Sequence, residues 1–273
     1  MKISRAIKKL LKTILPSPLI RFICAVTRYE AQRDTPLATR YSGRDPSILQ
    51  CYIAYNETGG FCVPVSSHHC GATQKIMWGK VYEEDTIDYI AKNCGKGDII
   101  HAGAFFGDFL PALSRACKNG SKVWAFEPNP ENYRCAKITM YINDIRNVEL
   151  TNAALGLQEG VMRMAVSEEN GTALGGRSHL VETVYESKRN CIDVRMVRID
   201  DVIPADRSIS ILQLDVEGFE KLALTGSMST IKKNRPILIL ETLPSEDFLK
   251  DNIFKLGYKV VGNVCDNTIL KVG

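Results

Sequence analysis

From Asp98 to Glu241 this 273-residue chain alternates short apolar runs with helix-length amphipathic stretches. That alternation restricts it to folds in which helices cross over between the strands of a mostly parallel sheet. Strands are expected at 98–102, 122–126, 148–151, 209–214 and 237–240, with helices near 108–117, 130–142 and 216–225. Asn119-Gly120 and Gly226 stand where helices should stop. An irregular, strand-rich insertion covers 157–200, and a last helix near 246–255 precedes strands at 258–261 and 268–271. Upstream, 83–92 has helical spacing and 61–65 reads as a short edge strand, while 30–60 is rich in turn formers. The fold class is α/β, a Rossmann-like doubly wound sheet with an N-terminal helical extension. Three regions are expected: a basic amphipathic segment at 1–28, a linker and cap at 29–97, and the α/β domain at 98–273.

Charge separates the first region from the rest. Residues 1–29 hold seven basic side chains and no acidic ones. The remainder carries 28 basic residues, 35 less those seven, against 31 acidic ones. A nucleic-acid enzyme should concentrate basic charge on its catalytic domain, so no nucleic-acid partner is expected. Over residues 1–15, Ile3, Ile7, Leu10, Leu11, Ile14 and Leu15 share one helical side and the lysines take the other. Such a helix can lie on an anionic membrane, can pack against the domain, or can serve as a presequence. No apolar run is long enough to span a bilayer. The expected location is cytoplasmic, with peripheral membrane contact through 1–15 left open. Nine cysteines without a C-x-x-C pair read as free thiols. Cys62, His68, His69 and Cys70 match no common zinc spacing, so no metal ligands are assigned.

Two strands end on acids: 122–126 stops at Glu127 and 209–214 stops at Asp215. Strand 98–102 opens into Gly103-Ala104-Phe105-Phe106-Gly107. Ligands of open α/β sheets sit beyond the carboxyl ends of the strands, where glycines admit the ligand to the backbone and an acid binds ribose hydroxyls. Glu127 lies 24 residues after Gly103, close to the spacing expected for a ribose-binding acid. The full G-x-G-x-x-G cradle for a pyrophosphate is missing. A nucleoside without phosphates is favoured over NAD, which makes a nicotinamide oxidoreductase the weaker reading.

The blocks His101–Gly107, Phe126-Glu-Pro-Asn-Pro130, Asn152-Ala-Ala-Leu-Gly156, Ile199-Asp-Asp-Val202 and Leu214-Asp-Val-Glu-Gly-Phe-Glu220 resemble the FkbM family of class I methyltransferases. The resemblance runs from about Gly79-Lys-Val-Tyr-Glu83 to Glu241. It implies a class I methyltransferase fold, S-adenosylmethionine as cofactor, and methylation of a hydroxyl on a sugar, glycan or other small molecule. It also implies that Gly103, Ala104 and Gly107 face the methionine part, that Glu127 binds the ribose, and that Asn152 and Ala153 border the adenine. Asp215 would stand beside the sulfonium. His101 occupies a position where the family has aspartate, and Phe105 one where it has asparagine; His101 is expected to touch the cofactor. A non-catalytic, membrane-associated protein of the same fold is the alternative that these two residues raise. Asp215 and Glu217 are the candidate bases, although Glu217 also suits the first turn of the following helix. Asp215 and Glu241 each end a strand and could approach one another, which leaves assistance by a divalent ion open.

Overall fold

In the computed structural model, residues 48–118, 120–181 and 190–273 are described, within a compact unit spanning residues 45–273. The amphipathic segment expected over 1–15, and with it the membrane contact, lies outside the described residues. No helix among the described residues is long and apolar enough to cross a membrane.

The described chain opens with a hairpin: β1 (Cys51–Asn56) lies in the stretch read from sequence as turn-rich, and β2 (Gly59–Pro64) answers to the edge strand read at 61–65. Asn56 Oδ1 accepts from both the backbone and the hydroxyl of Thr58 and closes the turn. Helices α1 (Gly71–Met77) and α2 (Glu84–Asn93) lead into β3 (Asp98–Ala102). There follow α3 (Leu110–Ala116), β4 (Val123–Phe126), α4 (Pro130–Ile142) and β5 (Val148–Thr151). Pro130 at the first turn and the Asn129 side chain, which accepts from the Glu131 backbone, set the start of α4 where the sequence places it.

The insertion forms a second sheet from β6 (Ala154–Leu155), β7 (Gly160–Ser167), β8 (His179–Leu180) and β9 (Asn190–Val197), with β7 and β9 antiparallel. A short helix, α5 (Ile199–Val202), then precedes β10 (Ile209–Leu214), α6 (Glu220–Thr225), α7 (Met228–Asn234) and β11 (Ile237–Leu240). Asp200 and Asp201 lie in α5, and the Asp200 carboxylate accepts from the Ser229 and Thr230 backbones at the start of α7. The last helix is a succession of α, π and 3-10 turns from Glu246 to Leu256, after which β12 (Tyr258–Val264) and β13 (Asn267–Val272) close the chain.

The main sheet has the order β12-β13-β11-β10-β3-β4-β5, with β11 through β5 parallel and β13 antiparallel to both its neighbours. Alternate strand residues supply two cores, as the two-residue period requires. Ile99, Val123, Ile211 and Ile239 face α2, α3 and α4. Ile100, Leu212, Leu238 and Leu240 face α6, α7 and the final helical turns. The chain winds outward from β3 to β5, then returns to lay β10 and β11 on the other side of β3. A topological switch point therefore lies between β3 and β10.

Candidate active site

Gly103 lies directly beyond β3, at that switch point. Its φ of +89° is left-handed, and a Cβ there would sit 2.0 Å from the carbonyl oxygen of Asp215. Only glycine lets the β3 turn and the β10 end approach so closely. The backbones of Gly103 and Ala104 both donate to Phe126 O, which ties the turn to β4. Phe105 follows at φ +46°, a left-handed conformation unusual for a bulky residue. What holds it there is Glu127: the Phe105 backbone donates to Glu127 Oε2 at 2.8 Å, and the Asn129 backbone donates to Oε1 at 2.8 Å. The carboxyl is buried, and desolvation pushes its pKa up to about 8 despite these donors.

Two hollows meet at this turn. One is a narrow, mainly apolar crevice of about 40 Å³ bordered by Phe126, Ala153, Leu155, Met164, Leu180 and Phe219. The other is a polar cavity of about 410 Å³ that opens between the β3 turn, the start of α1, Tyr82 and Glu83 ahead of α2, and the ends of β10 and β11. Gly103, Glu127, Asp215 and Glu217 border both.

The larger cavity is strongly acidic. Seven carboxylates line it (Glu83, Asp108, Glu127, Asp215, Glu217, Glu241 and Asp266), against one arginine, Arg177. Burial raises Asp108 to about 7, with the Glu83 charge adding to the effect. Asp215 is raised well above the usual carboxylate range, first by burial and then by contact with Glu241. Glu217 reaches about 7 through burial and the charges of Glu241 and Glu220. Burial also raises the Tyr82 phenol, with the charge of Glu83 contributing. One carboxylate oxygen from each of Asp215, Glu217 and Glu241 lies within 4.8 Å of the others.

His101, the last but one residue of β3, lines this cavity. Its Nδ1 and Gln213 Oε1 are 2.5 Å apart, and its ring stacks on Phe109 with centroids 5.2 Å apart. Burial lowers its pKa to about 4, so the ring is neutral. The proton donated to Gln213 leaves a lone pair on Nε2, which is buried and has no partner.

The methyltransferase FkbM domain matches residues 101–260, more than half of the chain. The chain belongs to this family. The cofactor that goes with this domain is S-adenosylmethionine. Among solved structures, the chain is similar to an FkbM methyltransferase from Methylobacillus flagellatus KT at 18% identity and a TM-score of 0.43, over 64% of this chain and 43% of that one. It thus spans less than half the length of that protein. A SAM-dependent methyltransferase from Aquifex aeolicus shares 16% identity with a TM-score of 0.40, over 70% of this chain and 92% of that one. A tRNA (uracil-54, C5)-methyltransferase from Pyrococcus abyssi, in complex with S-adenosyl-L-homocysteine, shares 9% identity with a TM-score of 0.41, over 83% and 47% of the two chains. Comparison with curated proteins gave no match.

In this FkbM domain, His101, Gly103, Glu127, Asp215 and Glu217 gather at the larger cavity, and Ala153 lines the crevice. Ala104, Gly107 and Asn152 border neither hollow. Ala104 is fully buried among the α2 and α3 side chains, and Gly107 rests against Ala136 and Thr139 of α4. Asn152 clasps the turn after β4 by donating to Glu127 O and Pro128 O. The helix start expected around Glu217 is not formed. Glu217 and Gly218 are both left-handed, at φ +54° and +92°, and α6 begins only at Glu220. Glu217 therefore points into the cavity region instead of capping a helix. Asp98 lies at the far end of β3 and pairs with Arg207, so it does not replace His101. Cys62 is buried within β2 and His68 packs edge-on to Tyr52, while His69 and Cys70 line the cavity.

Sequence reasoning did not single out Tyr82, Glu83, Asp108, Arg177 or Asp266. A signal existed for two of them, since Tyr82 and Glu83 close the first block of the family resemblance. Glu83 is fixed by Thr86 Oγ1 at 3.0 Å and Asn267 Nδ2 at 2.9 Å.

Proposed function

We propose that this chain is an O-methyltransferase that moves the methyl group of S-adenosylmethionine to a hydroxyl of a small polyhydroxylated acceptor such as a sugar. The observation that carries this reading is the pairing of an apolar crevice with an acidic cavity across Gly103, Glu127 and Asp215. The residues fit the cofactor. The crevice offers apolar walls to an adenine, and Glu127, already positioned by two backbone donors, has lone pairs left for ribose hydroxyls. The Nε2 lone pair of His101 suits the ammonium of the methionine part, and the glycine at 103 lets the ligand meet the backbone.

Bound S-adenosylmethionine supplies an electrophilic methyl group on a positively charged sulfur. The chain's own residues orient the acceptor and take its proton. Asp215 and Glu217 stand where the two hollows meet, within reach of a hydroxyl placed there. Glu217, at about 7, is matched to proton transfer near neutrality. A nearby positive charge favours ionised Asp215 and so opposes the effect of its burial. The rings of Phe105 and Phe106 pack on one another 4.6 Å apart, within the cluster under β2, and leave the cavity open. That openness favours the enzyme over a non-catalytic protein of the same fold.

The test is a mass-spectrometric screen of the purified chain with S-adenosylmethionine and panels of sugars, amines and RNA. Methylated sugar that disappears with Asp215→Asn is the expected result. Methylated RNA or amine with unmodified sugars would refute the acceptor class.

A further inference from the structure

Two carboxyls of the larger cavity are almost fully buried, Glu127 at 4% and Asp108 at 6% exposure. Glu127 has a task in the reading above and Asp108 has none. Asp108 follows the left-handed Gly107 directly. Its carboxyl takes the backbone N–H of Asp108 and of Phe109, and among the described residues no side chain donates to it. Phe109, the next residue, stacks on the His101 ring with 5.2 Å between centroids and 8° between planes, and all three residues line the cavity. The equally buried Asp98 has its own guanidinium, that of Arg207. Asp108 has no such partner. The charge that bears on it is that of Glu83, and Arg177 acts on Glu217 and His69 instead. A carboxylate so placed is costly until a positive group reaches it.

The cofactor brings such a group. With the adenine in the apolar crevice and the ribose at Glu127, which borders both hollows, the methionine part extends into the larger cavity. Four acids line that cavity without touching the crevice: Glu83, Asp108, Glu241 and Asp266. Glu83 is held by Thr86 and Asn267, Glu241 is in contact with Asp215, and Asp266 is exposed. Asp108 alone of the four bears on the charge of Glu127, so it stands nearest to the ribose acid. His101 beside Phe109 is neutral and offers a lone pair without a charge.

We propose that Asp108 is a cofactor-binding residue whose ionised carboxyl holds the ammonium of the methionine part of S-adenosylmethionine. A charge-assisted hydrogen bond of this kind is stronger than any that a neutral imidazole makes to the same group. The pairing satisfies the ammonium and the buried carboxylate together. It rests on S-adenosylmethionine as the cofactor and not on the nature of the acceptor.

The full chain is titrated calorimetrically with S-adenosylhomocysteine and with its deamino analogue, in which hydrogen replaces the ammonium. The wild type should prefer S-adenosylhomocysteine by about thirtyfold or more, the loss expected when one partner of a buried charge pair is removed. Asp108→Asn should weaken S-adenosylhomocysteine by a similar factor and leave the deamino analogue unchanged. Asp266→Asn, which removes a charge from the exposed rim of the same cavity, should keep the wild-type preference within about twofold. Asparagine keeps an oxygen for the two backbone donors, and the Tm of the ligand-free variant checks the fold. Asp108→Ser takes its place if that Tm drops. An undiminished preference in the Asp108 variant, or equal weakening of both ligands, overturns the proposal. So does an equal loss in Asp266→Asn, which would reduce the effect to net charge. If the wild type binds both ligands equally, Asp108 loses its role while the cofactor reading stands; if it binds neither, the cofactor reading falls as well.

Discussion

Replacing Gly103 and Gly107 by alanine, one at a time, separates two costs that usually arrive together. Both glycines are left-handed, at φ +89° and +86°. An L-residue in that conformation costs about 1–2 kcal/mol. At Gly107 the new Cβ would meet Ala136, Leu110 and Thr139 at 3.3 Å, a contact that small shifts of side chains and α4 relieve. At Gly103 it would lie 2.0 Å from Asp215 O, 3.1 Å from the carbonyl carbon and 3.3 Å from Asp215 Cβ. Relief there demands roughly an ångström of separation between the β3 turn and the end of β10, both held by backbone hydrogen bonds. Overpacking of this kind adds about 1–3 kcal/mol. Gly107→Ala should thus cost about 1–2 kcal/mol and Gly103→Ala about 2–5 kcal/mol. For a unit of this size the difference corresponds to a Tm gap of several degrees. Because the displaced group is Asp215 itself, Gly103→Ala should also weaken S-adenosylhomocysteine binding in calorimetry, and Gly107→Ala should leave it nearly intact. Equal Tm losses in the two variants, or undiminished affinity in Gly103→Ala, would refute the close-approach argument.

Arg207→Ala strands the buried Asp98 carboxylate, which otherwise receives two bonds from the guanidinium, one from Trp124 and one from the Lys122 backbone. The loss should be about 3–5 kcal/mol in urea unfolding with cofactor affinity unchanged; a change below 1 kcal/mol would discredit that pair. Glu127→Ala should weaken cofactor binding strongly, because it removes both the ribose acceptors and the anchor of Phe105, and an unaltered calorimetric Kd would exclude the ribose assignment. Asp215→Asn should lower turnover by about a hundredfold or more while the cofactor still binds. Without ligand, stability should fall as pH rises. Asp108 and Glu127 have folded values of about 7 and 8, above their ordinary values of 3.8 and 4.5, so the folded state holds protons that the unfolded state releases. This contribution is complete below about pH 4 and is lost as pH climbs through 7 to 8, on the order of 4 kcal/mol for each group. A Tm that is flat or rises between pH 5 and 8 would contradict it.

The parallel strands were legible because each is an apolar run bounded by turn chemistry, and α4 covers the stretch expected near 130–142. Of the hairpin, β2 answers to the edge strand read at 61–65, whereas β1 was not legible. In β1 the β-favouring Tyr52, Ile53 and Tyr55 remain partly exposed, and the glycines and polar residues around them outweighed that short pattern. The late start of α6 escaped for a different reason. Glu217 carries no mark of a left-handed backbone, and the helix is delayed because the chain must first turn that carboxylate toward Glu241.

The acids at the ends of β4 and β10 could be read from sequence because a strand end places its next side chain at the crevice whatever the rest of the fold does. The remaining acids of the cavity are placed by closure over long distances. Glu83 is fixed by Asn267, 184 residues away, and Asp108 faces the cavity only because Gly107 turns left-handed against α4. Each of these carboxylates is unremarkable alone, and no local pattern says that seven of them share one space with a single arginine. Their sum is what carries chemical information. A fold can hold that much like charge at its switch point only by keeping protons on it or by binding cations there. Glu127 shows the compromise: backbone donors from Phe105 and Asn129 lower its cost, yet burial still raises it to about 8. Asp215 is raised further by its neighbour Glu241 and lacks comparable donors. Of the acids that end the inner strands, Asp215 therefore gains most from a positive charge arriving in the cavity, such as that on the sulfur of the cofactor.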